Sequence, residues 1–355
     1  MSEIRLIMGR DIGHTRIPLN LWSLDLAIGF RDEIGLLLPG IFEIYGDEHS
    51  GKSTLSLYAA GRVAGEGKIM VADLESGWQD GPHIRNNLEK SGFTGTVQII
   101  DHVQEKRGKK LEVRPHRLIL QEGVDSLLED ANAFVVDSIG MYASQAEIED
   151  DIGAANWGKR GKDMAQFSRR ALNNLRFASV EDPNKAVFLV NHKYEAMGGM
   201  GHTTPGGSAK NFAASTRLWM YRKDNSFDYG AFQAEIRVQK LRVGGKNPDM
   251  RGAVFIIPGI GVSPEMTAVI DCVKFGLAER ASTVKLEVVN EKTGEVETKS
   301  MGRINELVKK VIDGDVDEFT PFFDALVLHA KQRAETFTAE RIDNEEDEAV
   351  PDSDE

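Results

Sequence analysis

The sequence predicts an α/β fold: a central, mostly parallel sheet, followed by a small α+β C-terminal unit and a disordered acidic tail. Three observations carry this. Short apolar runs bounded by Gly, Asp or Asn recur at Ile41–Tyr45, Ile69–Ala72, Val97–Ile100, Ala133–Val136 and Ala186–Val190, as strands buried on both faces do. Helical stretches alternate with them at Lys52–Val63, Gln79–Lys90, Leu118–Leu128 and Lys159–Phe177. Such alternation joins parallel strands by crossovers that cover both faces of the sheet. Beyond residue 214 the long helices stop, and Thr216–Tyr221, Ala234–Gln239 and Arg251–Ile257 read as an antiparallel extension.

A new unit is expected from about Thr283. Its first feature is a hairpin with Lys292-Thr293-Gly294 as the turn, and helices follow at Gly302–Ile312 and Pro321–Ala334. Residues 340–355 hold nine acidic side chains against one Arg and almost nothing apolar, too little to bury for the chain to order. The expected division is therefore an N-terminal segment 1–22, a core 23–282, a C-terminal domain 283–339 and a tail 340–355.

Composition excludes several classes. A net charge of −13 over 355 residues is incompatible with a coat of basic residues, so any nucleic-acid contact must be local. The basic run 105–110, continued by Arg114 and Arg117, reads either as a solvated hairpin or loop or as a DNA- or partner-contacting insertion. One cysteine, Cys272, excludes a multi-cysteine zinc site and an internal disulfide framework, and points to a reducing cytoplasm. No stretch offers the roughly 20 apolar residues of a membrane span, so no membrane partner is expected.

The chemistry starts at Gly46-Asp47-Glu48-His49-Ser50-Gly51-Lys52-Ser53-Thr54, which matches G-x-x-x-x-G-K-[ST] directly after a strand and directly before a helix. Backbone N–H groups of such a loop and the helix N-terminus face phosphates, Lys52 meets the outer phosphates, and the Ser53 hydroxyl ligates Mg²⁺. Asp137 ends the apolar run 133–136 at the ligand-binding edge of the sheet, where a carboxylate completes the magnesium shell. Asp73 and Glu75 end another strand. Glu75 is the better candidate to orient an attacking water, because Asp73 lies nearer the sheet.

These residues stand in a longer series: SLDLAIG at 23–29, the phosphate loop, the strand ending at Glu75, VVDSIG at 135–140, AEIEDDIG at 146–153, FLVNHK at 188–193 and TTPGGSAKNFAASTRL at 203–218. The series resembles bacterial RecA and the phage recombinases of the UvsX type, over roughly three-quarters of the chain. The resemblance implies a RecA-like ATPase core using ATP and Mg²⁺, which forms a homo-oligomeric helical filament on single-stranded DNA and pairs it with double-stranded DNA. Single-strand-binding and mediator proteins are further possible partners, and the setting is a bacterial or phage-infected cytoplasm. The NHKYE run at 191–195 and the short N-terminal segment tilt the reading towards phage.

By the same resemblance Glu75 is the catalytic glutamate. Gly153, Trp157 and Gly158 fall in a first DNA-binding loop. Met197, Gly199, Met200, Thr203, Thr204, Gly206, Gly207, Ser208 and Asn211 fall in or beside a second. That second stretch carries five glycines and two threonines, so its backbone can approach phosphates closely. Asn191 and His192 stand where the family couples the γ-phosphate to this loop, with His192 in place of the bacterial glutamine. Phe212 matches the aromatic that links the loop to the next subunit, and Arg217 an arginine in the following strand. Lys240 and Arg242 correspond to two lysines that reach the neighbouring subunit's ATP. The resemblance would give the N-terminal segment 1–22 to subunit docking. The chain departs from the bacterial pattern at 76–83, where Gln79 and either Trp78 or His83 would replace the adenine contacts, and at 99–117, an insertion without a bacterial counterpart. A hexameric helicase motor, or a recombination mediator that binds ATP without hydrolysing it, are the competing readings.

Overall fold

The computed structural model describes residues 14–29, 33–78, 81–106, 110–144, 147–148, 159–195, 202–243, 251–289 and 295–331. Its strands are β1 (Thr15–Ile17), β2 (Leu36–Leu38), β3 (Gly40–Gly46), β4 (Lys68–Asp73), β5 (Thr96–Ile99), β6 (Val103–Lys106), β7 (Lys110–Val113), β8 (Ala131–Asp137), β9 (Ala186–His192), β10 (Tyr194–Glu195), β11 (His202–Thr203), β12 (Thr216–Ser226), β13 (Phe232–Leu241), β14 (Arg251–Ile257), β15 (Gly261–Val262), β16 (Ala278–Arg280), β17 (Val284–Val289) and β18 (Val296–Gly302). The main sheet runs β15-β14-β13-β12-β3-β9-β8-β4-β5. From β12 to β5 every neighbouring pair is parallel, whereas β12-β13, β13-β14 and β14-β15 are antiparallel. The expected mostly parallel sheet with an antiparallel extension is what the chain forms.

Alternation within the strands divides the core into layers. Phe42, Ile44, Ile69, Val71, Val135 and Phe188 face the helix Lys52–Ala64 with its Leu55 and Tyr58. Ile41, Met70, Phe134, Val136, Val187 and Leu189 face the helices His116–Asp125 and Lys159–Ala178 through Ile119, Leu120, Phe167 and Leu175. Both faces are covered, so all seven residues of β3 are buried. The long helix keeps Met164, Phe167, Ala171 and Leu175 on one stripe at spacings of three and four, the 3.6-residue period of a half-buried helix.

A third apolar layer joins β14, through Ala253, Phe255 and Ile257, to the helix Pro264–Lys274 and the C-terminal elements. β16 belongs to the C-terminal sheet β16-β17-β18, so that sheet takes in residues from 278, ahead of the boundary expected at 283. The helix Ile304–Asp313 starts two residues after the expected Gly302, because the Glu306 carboxylate accepts the Arg303 N–H at 2.8 Å and closes the first turn there. The turn 292–294 and the tail lie outside the described residues. β6 and β7 pair as an antiparallel hairpin, which gives the basic insertion its form. Among the described residues no helix is long and apolar enough to cross a membrane.

The short helix Trp22–Ile28 is fixed by two buried carboxyls. Asp25 accepts the Leu19 and Leu21 N–H groups at 2.7 and 3.0 Å. Asp271 accepts the Ser23 N–H at 2.9 Å, and its Oδ1 has no hydrogen-bond partner. Burial pushes Asp271 up to about 6, partly offset by bonds from Ser23. The folded chain therefore holds a proton there that the unfolded chain has released above its ordinary value of 3.8. Stability should fall as pH rises through this window, from about 4 to about 6. Urea midpoints measured across it should fall less steeply in Asp271→Asn than in the wild type, and equal slopes would reject the assignment.

Candidate nucleotide site and its neighbouring loop

Strand, turn and helix build the phosphate loop from local constraints. Gly51 holds φ +91, where a side chain is strained, and a Cβ on Gly46 would lie 1.8 Å from the Met220 carbonyl oxygen of the adjoining strand. Both positions therefore require glycine. Ser50 Oγ and Lys52 Nζ both donate to the Asp47 carbonyl, at 2.8 and 2.5 Å, which curls the loop over the start of the helix. Lys52 is buried, and this lowers its pKa against the opposing pull of Asp137 and Glu75.

Glu48, His49, Gly51, Lys52, Ser53, Thr54, Glu75, Asp137, Val190 and His192 line one cleft of about 360 Å³. Asp73 does not enter it. Its two oxygens take the Gly77 and Trp78 N–H groups at 3.0 Å each, and the turn so formed holds Glu75 at the strand end. Glu75 Oε1 accepts from the Ser138 hydroxyl and lies 2.9 Å from His192 Nε2. Burial would raise the Glu75 carboxyl, but the bonds from Ser138 and His192 and the charge of Lys52 outweigh it and hold it below the ordinary 4.5.

Asp137 is the deepest acid of the cleft. Burial raises its pKa, with Ser53 and Trp78 opposing and Glu75 and Asp73 adding to the rise. Its Oδ2 accepts the Trp78 indole N–H at 3.0 Å. Its Oδ1 is buried without a hydrogen-bond partner of good geometry. An orphaned carboxylate oxygen beside the Ser53 hydroxyl suits a hard divalent cation. Among the described residues no group of three or more His, Cys, Asp or Glu could hold a metal alone, so most of a magnesium shell there would come from phosphate oxygens and water. Trp78, a candidate adenine contact by sequence, is instead 7% exposed and engaged with Asp137. The reason is the Asp73 turn, which folds its backbone inward. Gln79 lies outside the described residues, and His83 lies in the helix Gly81–Lys90.

Beneath the cleft is a buried ionic cluster that a strand-by-strand reading passes over. Glu43, fully buried within β3, accepts from Lys210 Nζ and Arg217 Nε at 2.5 Å each and from Asn191 Nδ2 at 2.8 Å. Lys210 and Arg217 also donate to Thr204 Oγ1, at 2.7 and 3.2 Å, and Asn211 Oδ1 takes a further bond from Lys210. Asn191 Oδ1 in turn accepts the His192 N–H at 3.0 Å. Burial alone would raise Glu43, but Lys210 and Arg217 hold it below the ordinary carboxylate range. The visible sign in the sequence was an acid inside an otherwise apolar strand, IFEIY.

The remaining sequence candidates are distributed as follows. Thr203, Gly207 and Ser208 are exposed. Thr204 and Gly206 are buried, Thr204 in the ionic cluster and Gly206 at φ +93 ahead of the helix Gly207–Ala213. Gly153, Trp157, Gly158, Met197, Gly199 and Met200 lie outside the described residues. Lys240 donates to the Asn211 and Phe212 carbonyls at 2.7 and 2.9 Å, and Arg242 to those of Phe212 and Ala213 at 3.0 and 3.1 Å. They satisfy the last carbonyls of that helix, where cations are favoured. Lys240 pairs with Arg217, which is level with Glu43. That is three residues, or roughly 10 Å, before Gly46 along β3, and neither cation lines the cleft. Phe212, beside them, is 76% exposed.

A glycine-curled loop between strand and helix, with acidic strand ends facing it, defines a P-loop protein of the α/β class. Comparison with known proteins is specific. Residues 15–263 match the model of the RecA N-terminal domain. The chain is 32% identical over 271 residues to Protein RecA of Trichodesmium erythraeum, covering 74% of this chain and 66% of the relative. It is 30% identical over 249 residues to Protein RecA of Nostoc, covering 68% and 62%, and 29% identical over 270 residues to Protein RecA of Bacillus subtilis, covering 74% and 71%. The chain belongs to the RecA family, and spans a little under two thirds of the length of the cyanobacterial relatives.

Proposed function

We propose that this protein is an ATP-hydrolysing recombinase that assembles on single-stranded DNA and exchanges strands with a homologous duplex. One observation carries the reading. Glu75, Asp137, Lys52 and His192 converge on one cleft, while Lys240 and Arg242, the cations the family resemblance assigns to ATP, lie away from it beside exposed Phe212. A site that lacks these cations in its own subunit suits head-to-tail assembly, in which the next subunit supplies them.

In this reading Lys52 and the loop N–H groups bind the phosphates, and the depressed Glu75 carboxylate takes the proton of the attacking water. A magnesium ion held by Ser53 and Asp137 would neutralise phosphate charge. Lys240 and Arg242 of the neighbouring subunit stabilise the charge that develops in the transition state. Residues 203–208 contact the DNA strand, with Thr204 bonded into the Glu43 cluster below.

The test is ATP turnover with and without single-stranded DNA over a range of protein concentrations. Turnover should rise with DNA and steeply with concentration. It should drop about 100-fold in Lys240→Ala, the scale of losing one transition-state cation. Mixing equal amounts of Lys240→Ala and Glu75→Gln subunits should restore roughly a quarter of wild-type turnover, because random head-to-tail order joins an intact cleft to an intact cation at that frequency. A mixture no better than its components would remove the shared site, and DNA-independent turnover would favour a different motor.

A further inference from the structure

The phosphate loop touches the second loop's hairpin through one side chain that the proposed reaction does not use. Lys193 follows β9 and precedes β10, which pairs with β11 through Glu195 and His202. Its N–H donates to the Gly46 carbonyl at 3.3 Å. Its ammonium lies 3.1 Å from Asp47 Oδ1 in the phosphate loop and 5.1 Å from the centroid of the Trp219 ring. On that ring also sit Arg237, 5.0 Å away, and His202, with ring centroids 5.6 Å apart. Asp47 thus holds two lysines, Lys52 by its carbonyl and Lys193 by its carboxylate.

We infer that Lys193 is a positioning residue that reports the state of the nucleotide to the second loop, an inference that rests on the recombinase reading above. The physical argument is a competition for Lys193. A polyanion next to the loop attracts its ammonium, which is paired with Asp47 and lies against an aromatic face on a side chain only 17% exposed. That pull weakens the Asp47–Lys193 pair and alters the contact between Lys193 and Trp219, and with it the seat of His202. The Trp219 indole N–H is buried without an acceptor in the present arrangement, so a rearrangement that gives it one is favoured. Two arrangements of one packed contact, biased by charge at one end and by DNA at the other, are what coupling between sites requires.

The measurement is the affinity of the full-length protein for a fluorescent single-stranded oligonucleotide in ADP and in a slowly hydrolysed ATP analogue. The ratio of the two dissociation constants should fall about fivefold or more in Lys193→Met and in Asp47→Asn, the usual scale of such coupling. Lys193→Arg, which keeps charge and stacking, should stay within about twofold of wild type. The double variant should lose no more than the worse single, as members of one contact do. If Lys193→Met weakens binding equally in both nucleotides, Lys193 is a DNA contact or a structural prop and the inference is overturned. The same holds if the ratio does not move. A wild-type ratio of one would instead overturn the recombinase reading, and the inference with it.

Discussion

Glu75→Gln is expected to lower ATP turnover by about 100- to 1,000-fold, the range spanned by loss of a positioned general base. The substitution preserves shape and can still accept from Ser138 and His192, the two groups that fix Glu75. What it removes is the negative charge that receives the proton. Binding of a fluorescent ATP analogue should therefore change only about threefold, because the glutamate acts on the water rather than on the bound phosphates. The sign of the pH dependence follows from the depressed carboxyl. Glu75 is held below its ordinary 4.5, so it is already ionised across the neutral range, and any decline in turnover on its account should lie further to the acid side than for an ordinary glutamate. A variant that keeps a third of wild-type turnover would exclude Glu75 as the base. Serving the same role from Asp73 would first require breaking its bonds to Gly77 and Trp78.

The legible parts of this protein were those whose physics is local. A strand buried on both faces must be apolar along its length, so β3, β4, β8 and β9 announced themselves as runs. The phosphate loop fixes its own glycines, lysine and hydroxyl within nine residues. The antiparallel extension was legible from strands that follow one another without long helices, and the C-terminal hairpin from its turn residues Lys292-Thr293-Gly294. What stayed hidden depends on partners far apart in the chain. Glu43 meets Lys210 and Arg217 across 167 and 174 residues, and nothing near any of the three signals the pairing except an acid in an apolar strand. Trp78 was offered as an adenine contact because the stretch 76–83 departs from the family's spacing there, yet the turn drawn by Asp73 points it at Asp137. Lys240 and Arg242 were assigned to ATP by the family resemblance alone. Their present partners, the last carbonyls of the helix Gly207–Ala213, could not be read without knowing that β13 runs beside β12.

The largest effect on stability should come from Glu43. Removing the carboxylate in Glu43→Ala leaves the fully buried Lys210 and the adjacent Arg217 without a counter-charge, a loss of about 3–5 kcal/mol for a broken buried pair. Arg217 retains some water and Lys210 none, so most of the effect falls on the lysine. That asymmetry makes the prediction separable from a simple cavity. Glu43→Leu combined with Lys210→Met removes the fully buried pair, fills the space with apolar volume and leaves only the partly hydrated Arg217 charged, and should recover much of the urea midpoint lost in Glu43→Ala, since apolar replacement of a buried pair is often neutral or better. Two results would contradict this account: a double variant as unstable as the single, or a single variant indistinguishable from wild type. The recovered double variant is also informative about function. It folds, yet Asn191 has lost the Glu43 carboxylate and Thr204 the Lys210 ammonium, so the residues entering the helix Gly207–Ala213 are held only by the Asn191–Pro205 and Arg217–Thr204 bonds. DNA-stimulated turnover should then fall well below that of wild type, while basal turnover, which depends on the cleft above, falls less. That outcome would explain a buried ion pair standing where leucine and methionine are about as stable, through what the pair holds in register.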